Sequence, residues 1–75
     1  MSVELVREAT RGEHRVAVLR CYDEQGGSIV EVEVAPVGGG ELVRRGPYRF
    51  ATAHEAFRFL QEATLALQYL GCQVS

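Results

Sequence analysis

From Thr52 to Gly71 the chain is written as one capped amphipathic helix, and this confines the rest of the fold to the short β-leaning runs before it. Thr52-Ala53-His54-Glu55 has the spacing of a capping box, in which the Thr52 hydroxyl and the Glu55 carboxylate each satisfy an amide that the first turn leaves without a partner. Arg58 and Glu62 stand four residues apart, and Gly71 occupies the position just past the end where glycine closes helices. At about 100° per residue, Phe57, Leu60, Thr64 and Leu67 share one face. Ala56, Phe59, Ala63, Ala66 and Leu70 widen that face to about half the circumference, more than a small sheet needs. Phe59, Ala66 and Leu70, with Leu65 and Tyr69 beside them, are therefore candidate residues of a homodimer interface. A helix sunk deeply into a curved sheet uses the same width within one protomer, so both readings stand.

Upstream, residues 28–37 (SIVEVEVAPV) are the clearest strand, with Val30, Val32 and Val34 on one face and Glu31 and Glu33 on the other. Pro36 and the run Gly38-Gly39-Gly40 end it. Residues 14–22 (HRVAVLRCY) read as a strand, and DEQGG at 23–27 as a turn. Residues 41–51 (ELVRRGPYRFA) read as a further strand, broken at Gly46-Pro47 by a bulge or an edge position, because proline cannot donate to a ladder. Residues 3–10 (VELVREAT) lean to β structure, and their place in the sheet stays open. Short connections favour a meander. The expectation is an α+β fold, ββββα: a four-stranded antiparallel meander followed by one C-terminal helix packed on one face, forming a dimer.

Seventy-five residues make a single domain, 1–75, near the lower limit for a self-sufficient core, so a staple, a metal or a partner subunit is expected. Cys21 and Cys72 are too few for a disulfide framework, and two free buried thiols in a reducing cytoplasm are the expected state. Neither a signal peptide nor a membrane-length apolar stretch is visible, which again makes the cytoplasm the expected location and a membrane role unexpected. All eight basic residues are arginine and asparagine is absent, a bias that a GC-rich, bacterial type of genome explains without any function.

Most of the chemistry-bearing residues read as structural. Gly38-Gly39-Gly40 leads into a strand rather than a helix N-terminus, so it reads as a hairpin turn and not a phosphate loop. His14, His54, Cys21 and Cys72 lack ligand-pair spacing, so no metal site and no cofactor is expected. Glu31 and Glu33 read as cross-strand partners of Arg20 or Arg44 rather than as an acid–base pair. With no triad, dyad or metal constellation, an enzyme is not expected. The segment Arg44-Arg45-Gly46-Pro47-Tyr48-Arg49-Phe50 stands out. Guanidiniums neutralise phosphates while flat rings stack on bases, so Arg44, Arg45, Tyr48 and Arg49 are candidate contacts to single-stranded DNA or RNA. The net charge of −2 argues the other way.

Residues 28–67, from IVEVEV through GGGEL and RRGPYRF to the capped helix, resemble the Whirly-like single-strand binders, in particular the transcriptional coactivator family called positive cofactor four. That resemblance implies helices paired in a dimer, Arg44, Arg45 and Arg49 facing phosphates, and Tyr48 as a stacking ring; the chain departs from the family in having no lysine. A second pattern is similar to the HicB-type antitoxin fold: Gly26-Gly27, a strand ending in Ala35-Pro36-Val37-Gly38, and Thr52-Ala53-His54-Glu55-Ala56 opening the helix. Here the stretch between that glycine and the helix is longer than in the family. Without the family's DNA-binding appendage, this resemblance implies a protein–protein interaction module. The first expectation is a non-catalytic, single-strand-binding or transcription-regulator-like module, and the alternative is a module for a protein partner.

Overall fold

Alternating valines and a two-residue turn set the register of the sheet. In the computed structural model, which describes residues 4–36 and 38–75, strands β2 (His14–Glu24) and β3 (Gly27–Val34) form an antiparallel hairpin around Gln25-Gly26. Leu19 stands opposite Val32 and Cys21 opposite Val30, so the apolar sets of both strands share one face. β1 (Leu5–Arg11) pairs along the other side of β2, and β4 (Val43–Phe50) pairs with β3. The order across the sheet is β4-β3-β2-β1-β5, where β5 (Gln73–Val74) follows the helix. The α+β meander with one helix is the expected architecture, and two parts of it are now definite. β1 does join the sheet, and the register of β4 shifts where Gly46-Pro47 faces β3.

Several boundaries differ from the sequence reading. β2 runs on to Glu24 and β3 begins at Gly27, so the turn between them is Gln25-Gly26 rather than all of DEQGG. β3 stops at Val34, although the Ala35 amide still donates to the Val16 carbonyl at 2.8 Å in the same register, and Val37 and Val3 lie outside the described residues. The fourth strand is shorter at both ends, and a fifth, β5, caps the free edge of β1 through Ala9–Val74 and Thr10–Gln73. Reciprocal bonds between Glu8 and Ser75, at 3.2 and 3.0 Å, extend this pairing.

The helix, α1 (Ala53–Tyr69), is capped at both ends by its own sequence. The Thr52 hydroxyl accepts the Glu55 amide at 3.2 Å, a contact that contributes about 1 kcal/mol. Glu55 Oε1 takes the Thr52 hydroxyl proton at 3.2 Å instead of reaching the Thr52 amide, so the box closes side chain to side chain. At the other end, Gly71 adopts φ +93°, its amide donates to the Gln68 carbonyl, and the Cys72 amide donates to the Leu67 carbonyl, both at 3.0 Å. This is a Schellman closure; it reverses the chain and delivers Cys72 to the core and β5 to the sheet.

The core lies between α1 and one sheet face: Ala9, Ala17, Leu19, Cys21 and Val30 below, Ala56 and Leu60 above, Cys72 at the end. Its side chains are small, which lets the helix sit close to the strands. The buried stripe runs through Ala56, Leu60, Ala63 and Leu67, and Phe57 falls to its edge, 45% exposed. The rotation follows Phe59, whose ring meets Phe50 at 5.3 Å and Tyr48 at 5.8 Å across β4. On the opposite sheet face, Val18 and Ile29 are buried although no helix covers them. Longer side chains flank them across the strands, Glu8 and Glu33 on either side of Val18, Tyr22 and Arg49 on either side of Ile29.

Candidate interaction surfaces

The bulge decides where the arginine segment points. Because Gly46-Pro47 inserts an extra residue opposite β3, Arg45 and Tyr48 stand across from Val32 and Val30 on the α1 face. Arg44 and Arg49 stand across from Glu33 and Ile29 on the open face. The four candidate nucleic-acid contacts are therefore divided two and two between opposite faces of the sheet.

Their surroundings differ as well. Arg49 donates to Glu24 at 2.6 Å and to the Gln25 carbonyl at 3.4 Å, which ties it to the β2–β3 turn. Arg44 lies 3.9 Å from Glu31, the cross-strand pairing expected of that glutamate. The Arg49–Glu24 pair is solvent-exposed and weak in energy, while in the longer Arg44–Glu31 pair the arginine is exposed and the glutamate half-buried. Even so, each places a carboxylate where a phosphate would have to sit. Tyr48 rests against Phe59 and keeps only part of its ring in solvent.

Besides a small cleft of about 140 Å³ between Arg7 and α1, two larger clefts flank the sheet among the described residues. The larger, about 750 Å³, opens between the β1–β2 turn and the β3–β4 loop, with Glu8, His14, Arg15, Pro36 and Glu41 in its walls. Its charges are mixed in sign, and Arg15 already holds Glu8 at 3.5 Å. The smaller, about 340 Å³, lies beside the first turn of α1 between Leu5, Cys21, Asp23, Ser28, His54 and Phe57. There the Ser28 hydroxyl gives its proton to Asp23 at 2.9 Å. Burial, and secondarily the Asp23 charge, push the Cys21 thiol above its ordinary range. With its pKa raised, the Cys21 thiol is held protonated, and Ser28 is 1% exposed. Among the described residues no three His, Cys, Asp or Glu side chains converge as a metal site would require.

Large apolar side chains are exposed on β1 (Val6) and β4, and the most exposed of them lie at the C-terminal end of α1. Leu65, Tyr69 and Leu70 are 63%, 90% and 62% exposed, and Ala66 lies exposed among them. Of the three residues proposed for a dimer interface, Ala66 and Leu70 are on this surface. Phe59 is half-buried within its own protomer against β4. Val43, 40% exposed at the head of β4, adds an apolar residue that the sequence reading did not single out. The alternation of Val43 with Arg44 was its only signal.

No helix among the described residues is long and apolar enough to cross a membrane. Comparison with known protein families, with curated proteins and with solved structures gives no match to this chain.

Proposed function

We propose that this chain is a non-catalytic protein-interaction module whose binding surface is the exposed apolar face of α1. One observation carries the reading. Three large apolar side chains, Leu65, Tyr69 and Leu70, project into water around Ala66, from a stretch (residues 63–71) without a single charged residue. Exposed apolar groups clustered in this way mark interaction sites, whereas scattered ones mean nothing. This is also the role implied by the HicB-type resemblance. The two free buried thiols are in keeping with a reducing compartment such as the cytoplasm.

Single-stranded nucleic acid, the first expectation from sequence, has less support. A strand of DNA or RNA tracks one groove, while the arginines here are split between faces and Arg44 and Arg49 are matched with carboxylates. Fluorescence anisotropy with labelled single-stranded DNA and RNA at low salt is expected to stay flat, with no difference between the wild type and an Arg44→Glu/Arg45→Glu variant. Tight binding that weakens with salt and disappears in that variant overturns the protein-interaction reading. For the α1 surface itself, Leu70→Glu is expected to abolish co-purification of a stoichiometric protein partner without altering helical circular dichroism. A partner retained by that variant places the interaction elsewhere.

A further inference from the structure

The protomer exposes more surface than a folded monomer of its size is expected to. The accessible area is 5459 Å². A folded monomer of 8.3 kDa is expected to present about 4,600 Å². The surplus of roughly 900 Å² is close to the ~800 Å² that each subunit buries in a standard interface. The core points the same way. Five of its eight buried residues are alanine or cysteine, and Leu60 and Val30 are the largest apolar side chains fully out of water. A core of that size leaves a small domain short of stability unless something else is buried.

Charge and shape then select the occupant. On the exposed side of α1, Arg58 and Glu62 pair with each other at 3.3 Å. Beyond Glu62 the helix, residues 63–69, carries no charge, so a copy of that last stretch can lie on it without setting like charges together. An acidic or basic partner would find no counter-charge there. A two-fold axis between Ala66 and Tyr69 sets the large Tyr69 ring beside the small Ala66 of the partner, twice, with Leu65 and Leu70 flanking the contact on its two edges.

Resting on the protein-interaction reading, we infer that the partner is a second copy of this chain, joined antiparallel through α1 with Ala66 facing Tyr69 of the partner subunit.

Sedimentation of the purified protein tests this directly. The wild type is expected to sediment at twice 8.3 kDa at micromolar concentration. Ala66→Glu, a substitution on an exposed helical position, is expected to weaken self-association by roughly a hundredfold, since each dimer carries the buried charge twice. Tyr69→Arg is expected to weaken it alone, but an equimolar mixture of the two variants is expected to form a heterodimer. In that heterodimer one contact becomes Glu–Arg and the other stays Tyr–Ala. A wild type that remains monomeric at 100 µM, or an Ala66→Glu variant that still dimerises, overturns the inference. So does a mixture that fails to pair. A monomeric wild type that nevertheless holds a Leu70-dependent protein partner defeats the second-copy assignment alone, whereas a monomer with no such partner defeats the protein-interaction reading as well.

Discussion

Truncating Leu60 to alanine is expected to destabilise the protomer by about 2–5 kcal/mol. A chain of this length has about 4–11 kcal/mol to lose, so the variant is expected to be partly unfolded at ambient temperature. Leu60 is 2% exposed and stands at the middle of the buried stripe of α1. The buried cluster it belongs to includes Ala9, Ala17 and Ala56, whose side chains have no rotamers with which to fill a void. Their backbones are fixed as well, two in the sheet ladder and one in the helix. The cavity left by the lost isobutyl group therefore stays open, which places the cost in the upper part of the usual range. Gln61→Ala, one residue on and exposed, is expected to stay within about 0.5 kcal/mol. Urea unfolding followed by circular dichroism measures both. A lower midpoint at unchanged slope is the expected result for Leu60→Ala. A loss under 1 kcal/mol would mean that the core between α1 and the sheet closes up, contrary to the fixed backbone around it.

The elements that sequence alone revealed are those whose cause is local. Thr52 and Glu55 cap a helix wherever they are placed three residues apart, and Gly71 ends it by its own backbone freedom. The alternation of valine and glutamate in β3 fixes its faces without knowledge of any neighbour. What stayed hidden depends on partners far along the chain. Gln73 and Val74 are too few to signal a strand, and become one because the edge of β1 at Ala9 and Thr10 is open to receive them. Phe57 and Phe59 are indistinguishable as helical aromatics; only the Phe50 and Tyr48 rings on β4 determine which of them turns inward. The arginine segment is the clearest case. Simple alternation puts Arg44 with Tyr48 and Arg45 with Arg49, and the extra residue at Gly46-Pro47 exchanges the partners, so that Arg45 joins Tyr48 and Arg44 joins Arg49. A composition suited to a stacking, phosphate-binding groove is thereby divided between two surfaces.

Adjacent glycines in the β2–β3 hairpin are expected to respond to substitution in opposite ways. Gly26 has φ +85° with open space around its Cα, so its requirement is backbone conformation alone. Asparagine tolerates that region, so Gly26→Asn is expected to cost only a few tenths of a kcal/mol, and Gly26→Val to cost ~1–2 kcal/mol. Gly27 has no left-handed angle to maintain. Its requirement is space: a Cβ there would lie against the Phe50 carbonyl oxygen, well inside van der Waals contact, and that oxygen is backbone. Relief has to come from parting β3 and β4 at the Ser28–Phe50 pair, two residues before the Thr52 cap. The same displacement moves the Phe50 ring that holds Phe59, so one methyl group disturbs the strand pair, the helix start and the aromatic contact together. Gly27→Ala is therefore expected to cost about 1–3 kcal/mol, and Gly27→Asn no less, since tolerance of positive φ does not help where volume is the constraint. Thermal unfolding of the four variants gives a crossed pattern, in which asparagine rescues position 26 and not position 27. Equal tolerance of asparagine at both positions would mean that β4 yields at Phe50, and that the start of α1 is held by its cap rather than by the sheet.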